Sequence, residues 1–177
     1  EGGGNSSMCA FERLRLEDCG SGLANTARGV RKNFTARTNN GSSGSLAQTT
    51  TLTLDSVPTG LEQYTLCKIG STVCALTAAP SGNTITVFPW PDTSLSTGTV
   101  DFYIGGGLYV KGGDTGVGKI GMLDALGCSV GYNAMSLYPA SIQNFVSQAN
   151  GVGLAVGRGG NNSSVGGQID SAYFELD

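Results

Sequence analysis

A chain of 177 residues with a formal net charge of -3, only 13 % charged residues and 29 glycines has the length of one core-bearing domain and the composition of a secreted β-rich protein. The charge argues against a general nucleic-acid binder, and the complete absence of histidine excludes Ser-His-Asp and Cys-His catalysis and histidine-held zinc. No apolar run approaches a membrane-spanning length, and the sequence opens on Glu1 without a signal peptide, so it reads as a mature, processed product.

Residues 1–7, EGGGNSS, have linker composition, and a neighbouring subunit is the simplest thing to hold them. In the following MCAFERLRLED, Met8, Ala10, Leu14 and Leu16 fall on a two-residue alternation that predicts a strand. Residues 1–16 therefore read as a tether with a strand to exchange, and residues 17–177 as a single domain. Residues 20–45 are mainly loop, with a short strand near 33–38. Arg13, Arg15, Arg28, Arg31, Lys32 and Arg37 concentrate the basic groups here, and without interleaved aromatics they make a solvated or subunit-contacting face.

Residues 46–57 form a strand through their threonines and the alternating Leu52 and Leu54, ended by Pro58 and Gly60. Residues 63–69 and 72–77 make a hairpin about Gly70-Ser71, which brings Cys67 and Cys74 near each other. A further strand covers 83–90 and stops where Pro89 and Pro91 bracket the single tryptophan, Trp90. The stretch 101–119 organises the rest: Phe102, Ile104, Leu108 and Val110 alternate with Tyr103 and Tyr109, while Gly105, Gly106 and Gly107 mark a bulge, a bend or the close approach of another backbone. Downstream, Ile142, Phe145, Val146 and Ala149 recur at helical spacing, with Ser136 as a cap and Asn150-Gly151 as a stop, and predict a helix over 139–149. Strands over 152–156 and 168–176 complete the chain, the last one inside a sheet through Ala172, Phe174 and Leu176.

Residues 82–110, GNTITVFPWPDTSLSTGTVDFYIGGGLYV, resemble the C-terminal half of secreted pilin-like β-sandwich domains related to spore coat protein U. Phe102, Ile104, Gly105, Gly106, Leu108 and Val110 match that family's Phe-x-(Val/Ile)-Gly-Gly-x-Leu-x-Val strand, and Gly131-Tyr132-Asn133 is a loose counterpart of its closing Tyr motif. The resemblance covers about a third of the chain, leaves the family's N-terminal half unmatched, and is followed by more than forty further residues.

Of the five cysteines, Cys9 with Cys19 and Cys67 with Cys74 are spaced to close short disulfide loops, which leaves Cys128 over. Glycosylation sequons occur at Asn5, Asn33, Asn40, Asn161 and Asn162. Gly113 to Lys119 matches the spacing of a phosphate-binding loop, but Ile120 stands where magnesium needs a hydroxyl, so a turn is the better reading. Asp92, Asp101, Asp114 and Asp124 show no spacing that pairs two of them for glycoside hydrolysis, and Asp114 alone makes no calcium loop. Trp90, Tyr103, Tyr109 and Tyr138 suit packing better than a sugar-stacking platform.

Together these features predict an all-β fold, a β-sandwich of jelly-roll or immunoglobulin type with one short helix near the C-terminus. They predict a secreted, non-enzymatic structural subunit of an extracellular filament or pilus that carries no cofactor and assembles with copies of itself. In that reading a strand bearing Met8, Ala10, Leu14 and Leu16 completes a neighbour's sheet. The alternatives are a carbohydrate-binding adhesin module that takes surface glycans, and a viral capsid or spike domain.

Overall fold

A computed structural model describes residues 9–20, 29–41, 48–91, 96–109, 117–134, 141–156 and 168–175. They are all-β, and they divide into two compact units: residues 29–104 form most of one, and residues 9–20 with 105–175 form the other.

The first unit is a closed antiparallel barrel. Its strands are β2 (Val30–Asn40), β3 (Thr49–Leu54), β4 (Leu66–Ile69), β5 (Thr72–Leu76), β6 (Thr84–Phe88) and β7 (Gly98–Tyr103), in the order β2-β3-β6-β5-β4-β7 around the barrel. β1, which precedes them at Cys9–Glu17, belongs to the other unit. Alternation decides the inner face: Leu52 and Leu54 of β3 and Ile85 and Val87 of β6 are buried together with Phe34, Val100 and Phe102. The one polar side chain buried on β3, Thr50, gives its hydroxyl proton to Asn39 Oδ1 at 2.9 Å, so the wall contains it without an orphaned donor. Closure removes the free edges an open sheet of this size would leave. The alternation alone suggests an antiparallel sandwich; a barrel uses the same pattern and joins its first and last strands, β2 and β7, through Val30↔Phe102 and its neighbours.

The second unit is parallel throughout. β1 pairs with β9 (Val117–Leu126), β9 with β11 (Ser141–Gln148), and β11 with β13 (Ile169–Glu175). β8 (Leu108–Tyr109), β10 (Val130–Ala134) and β12 (Val152–Val156) form a second parallel sheet. Because strands of the two sheets alternate along the chain, the backbone winds as a solenoid, and each turn places equivalent residues above one another. Phe11, Ile120, Ile142 and Ile169 make one such ladder, and Leu14, Leu123, Phe145 and Ala172 a second; Leu16, Ala125, Ser147 and Phe174 make a third. Leu108, Tyr132 and Leu154 form the opposing ladder, and Tyr132 meets Phe145 edge-on at 6.2 Å.

Residues 141–148 are therefore a strand and not the helix their spacing predicts. The three-residue step from Ile142 to Phe145 breaks the alternation of buried and exposed residues within a strand, and the two positions are in register with Ile120 and Leu123 one coil earlier and with Phe11 and Leu14 two coils earlier. Parallel partners on both sides satisfy the backbone of β11, which removes the advantage a helix would have. Ser136, Pro139 and Leu176 lie outside the described residues.

Each coil turns from one sheet to the other through a residue in the left-handed region, Asp18 at φ 49°, Gly127 at φ 67° and Ala149 at φ 52°. Their amides donate to Leu126, Gln148 and Glu175 carbonyls at 2.8 to 2.9 Å, so the three corners stack in register. The barrel interrupts the first coil after its corner. The chain leaves the solenoid at Gly20 and resumes it at Gly105, and a Cβ on Gly105 would meet the Gly20 Cα at 3.3 Å. Ends this close let a whole module be inserted without opening the coil.

Candidate functional site

Asp101, Asp124 and the described members of the basic cluster are held in internal contacts. Asp101 of β7 accepts from Arg31 Nε at 2.6 Å and Nη2 at 2.9 Å, and the pairing raises the Arg31 pKa above its ordinary value. Asp124 of β9 faces Arg13 at 3.4 Å and Arg15 at 3.8 Å across the parallel pair. Lys32 donates to Ser56 Oγ and Arg37 to Asn39 Oδ1. The described part of the basic cluster is thus neutralised or bonded within its own chain, which leaves little of it for phosphate. Arg28, Asp92 and Asp114 lie outside the described residues.

The phosphate-loop spacing has no loop-to-helix context. Val117, Gly118 and Lys119 begin β9, a strand held between β1 and β11, and Ile120 is completely buried in the core; residues 113–116 lie outside the described set. A helix N-terminus, which such a loop needs to present its amides, does not follow. Lys119 is exposed and instead lines a shallow cleft of about 330 Å³ with Ser141, Gln143, Gln168 and Asp170, where Gln168 donates to Asp170 at 2.6 Å. Among the described residues no aromatic ring lines this cleft. Among the described residues no three His, Cys, Asp or Glu side chains gather to hold a metal ion, and no helix is long and apolar enough to cross a membrane.

Two of the four aromatic residues weighed for a sugar-stacking platform are engaged elsewhere. Tyr103, on the barrel strand β7, is buried, and Trp90 spends its indole N–H on the carbonyls of Asn40 and Thr49, at 3.1 and 2.8 Å. Tyr138 lies outside the described residues. Of the sequons, Asn33 donates to Asp55 at 3.0 Å, which lowers the Asp55 pKa, and Asn40 donates to Thr51 at 2.9 Å; Asn5, Asn161 and Asn162 lie outside the described residues. Gly105 to Gly107, expected to mark a bulge, a bend or the close approach of another backbone, separate two strands: β7 ends at Tyr103, Gly105 turns at φ 71°, and Leu108 opens a strand of the solenoid.

Cys67 and Cys74 are direct partners across the β4–β5 hairpin, as its two-residue turn requires, and both are buried thiols. The Cys74 side chain bonded to it, together with burial, holds the Cys67 thiol well above the ordinary thiol range. While the pair is reduced, the stability this thiol contributes to the barrel is full below the ordinary thiol pKa and is lost as pH rises through the raised value. Urea unfolding under reductant should accordingly show a lower midpoint at pH 10 than at pH 7, and the difference should shrink once a disulfide joins the two sulfurs.

Cys9 and Cys19 cannot pair as their spacing predicts. Cys9 opens β1 and Cys19 follows its end, so nine extended residues hold them apart by roughly 25 to 30 Å. The neighbour of Cys19 is Cys128, the residue the sequence leaves over: Ser129 N donates to Cys19 O at 2.8 Å.

The segment predicted to exchange with a neighbour lies in its own chain's sheet. Leu14 and Leu16 pack on the solenoid core, Ala10 is exposed, and Met8 lies outside the described residues. Phe11, which the alternation puts on the other face, is in register with the buried Ile120 of β9 and is itself exposed. What remains available is the pair of sheet edges. β1 and β13 each have one neighbour among the described strands, and they carry Phe11 at 43 %, Tyr173 at 55 % and Phe174 at 47 % exposure, three of the four exposed large apolar side chains among the described residues. Comparison with protein-family models, with characterised proteins and with solved structures finds no match to this chain.

Proposed function

We propose that this chain is a non-enzymatic structural subunit of an extracellular assembly, joined to copies of itself along the edges of its parallel sheet. The observation that carries this reading is the open solenoid: its ladders run without interruption from Phe11, Leu14 and Leu16 at one edge to Ile169, Ala172 and Phe174 at the other. A β13 edge set against the β1 edge of the next copy continues each ladder by one rung and pairs the backbone groups both edges leave open. Such a joint is head-to-tail, and repeated without closure it makes a filament. It replaces the exchanged N-terminal strand, since β1 is already seated beside β9 in its own chain. The low charge and the facing thiols suit an oxidising, extracellular setting.

Charged side chains at an exposed edge oppose such pairing, so the test is a Phe11→Lys, Tyr173→Lys double variant compared with the parent by sedimentation velocity and electron microscopy over a concentration series. The parent should form oligomers that grow with concentration and the variant should remain monomeric. A parent that stays monomeric throughout, or a double variant that polymerises equally well, removes this reading.

A further inference from the structure

We infer that Cys19 and Cys128 form a disulfide that staples the first solenoid coil to the second at the point where the barrel is inserted. The inference rests on the corner ladder and does not depend on the filament reading. Each corner places one residue directly after its left-handed position, and these residues are Cys19, Cys128 and Asn150 on successive coils. Their register is set from both sides: Ser129 N donates to Cys19 O at 2.8 Å, and Gly151 N donates to Cys128 O at 2.9 Å. Stacked positions on neighbouring parallel strands lie about 4.8 Å apart, inside the range of about 4.4 to 6.8 Å between Cα atoms that a disulfide spans.

Both sulfurs also turn to the same place. Cys19 Sγ donates to Glu17 O at 3.3 Å, and Cys128 Sγ reaches across to the same strand, to Leu16 O at 3.7 Å, as well as to Leu126 O at 3.6 Å. Burial pushes the Cys128 thiol above its ordinary range, and the Cys19 side chain is among its hydrogen-bond partners. Asn150, on the third rung, shows what this corner otherwise requires. Its amide is buried and fully engaged, accepting from Cys128 N at 2.7 Å and donating to Ala125 O at 3.0 Å and Ser147 Oγ at 2.8 Å. Two thiols at the preceding rungs offer no such set of strong donors and acceptors, whereas a bond between them leaves nothing unsatisfied.

The oxidant is a small disulfide such as glutathione disulfide. Cys19, the less buried of the two, attacks it as the thiolate, forming a mixed disulfide and releasing one glutathione. The Cys128 thiolate then attacks the Cys19 sulfur and expels the second glutathione, so two protein thiols and one glutathione disulfide become one protein disulfide and two glutathiones. The loop closed this way contains the entire barrel, and the bond keeps coil one on coil two whatever the inserted module does.

Trypsin separates all five cysteines, placing Cys9 in 1–13, Cys19 in 16–28, Cys67 in 38–68, Cys74 in 69–111 and Cys128 in 120–158. The full chain, refolded in a glutathione buffer, alkylated in denaturant and digested without reduction, should yield 16–28 linked to 120–158 and lose the alkylated form of 16–28. In a Cys128→Ser variant treated identically, alkylated 16–28 should return. Linkage of 16–28 to 1–13, or both 16–28 and 120–158 alkylated and unlinked from the parent protein, would overturn the assignment. The same digest on native protein oxidised without unfolding gives the reading should refolding fail, with the same two outcomes.

Discussion

Phe145→Ala should destabilise the solenoid by about 3 to 5 kcal/mol, the range for emptying a packed aromatic site. Phe145 is buried at the centre of three ladders. It sits between Leu123 and Ala172 along the sheet, meets Tyr132 edge-on from the opposite sheet at 6.2 Å, and receives Phe174 edge-on at 5.5 Å. Truncation removes the transfer energy of the ring and both ring contacts, and it leaves a cavity whose walls are backbone-paired strands that cannot collapse into it. Against a domain stability of about 5 to 15 kcal/mol the loss is large. It should be followed by far-UV circular dichroism in urea, because the single tryptophan, Trp90, lies in the barrel and reports on that unit. A shift worth less than about 1 kcal/mol would mean that the two sheets do not pack on Phe145.

Gly131→Ala should cost about 3 kcal/mol for a different reason. Its backbone is not in the left-handed region, so conformational freedom is not what the glycine supplies. Space is: a Cβ there would lie 2.6 Å from the carbonyl oxygen of Gly153 on the next coil, 3.1 Å from Ser147 Oγ and 3.2 Å from Asn150 Nδ2. The first contact is with backbone held in a parallel ladder, and the other two belong to the corner network that Asn150 maintains, so none can yield cheaply. Gly107, one coil earlier, is held in the same way against the Gly131 carbonyl. Gly82 provides the contrast. It has φ +57° and open space around its Cβ position, so Gly82→Ala should cost only the strain of about 1 to 2 kcal/mol for a left-handed alanine. Equilibrium denaturation of the two variants should rank Gly131→Ala as the more damaging, and the reverse order would contradict the close stacking of the coils.

How much of this was legible in the chain follows from the range of the interactions. The barrel hairpin could be read because its partners are near neighbours in sequence: Gly70-Ser71 fixes a two-residue turn, and Cys67 must then face Cys74. The inner faces of β3 and β6 could be read because Leu52, Leu54, Ile85 and Val87 keep strict alternation. Gly105 to Gly107 were legible as a bulge, a bend or a close backbone approach, though not what they approach: Gly105 lies against Gly20 far upstream, and Gly106 and Gly107 against Val130 and Gly131 more than twenty positions downstream. The solenoid was not legible in the same way. Its signal is a 22-residue repeat, visible where Gly127-Cys128-Ser129-Val130-Gly131-Tyr132 recurs as Ala149-Asn150-Gly151-Val152-Gly153-Leu154, but the repeated positions share size and backbone shape more than identity, and the first copy is cut by the barrel after Asp18-Cys19-Gly20.

The sequence by itself determined the β class, the hairpin that sets Cys67 opposite Cys74 and the absence of any histidine-based chemistry, since each of these depends on composition or on residues a few positions apart. Only the tertiary structure decided that residues 141–148 are a strand, that Cys19 lies beside Cys128 rather than Cys9, and that β1 completes its own sheet. Those outcomes depend on parallel partners brought from as far as a hundred residues away, and the cost of ordering the intervening chain is met only when every coil stacks at once. A three-residue spacing of apolar side chains is common to a helix turn and to a strand whose alternation breaks, and the neighbours on either side of β11 resolve it.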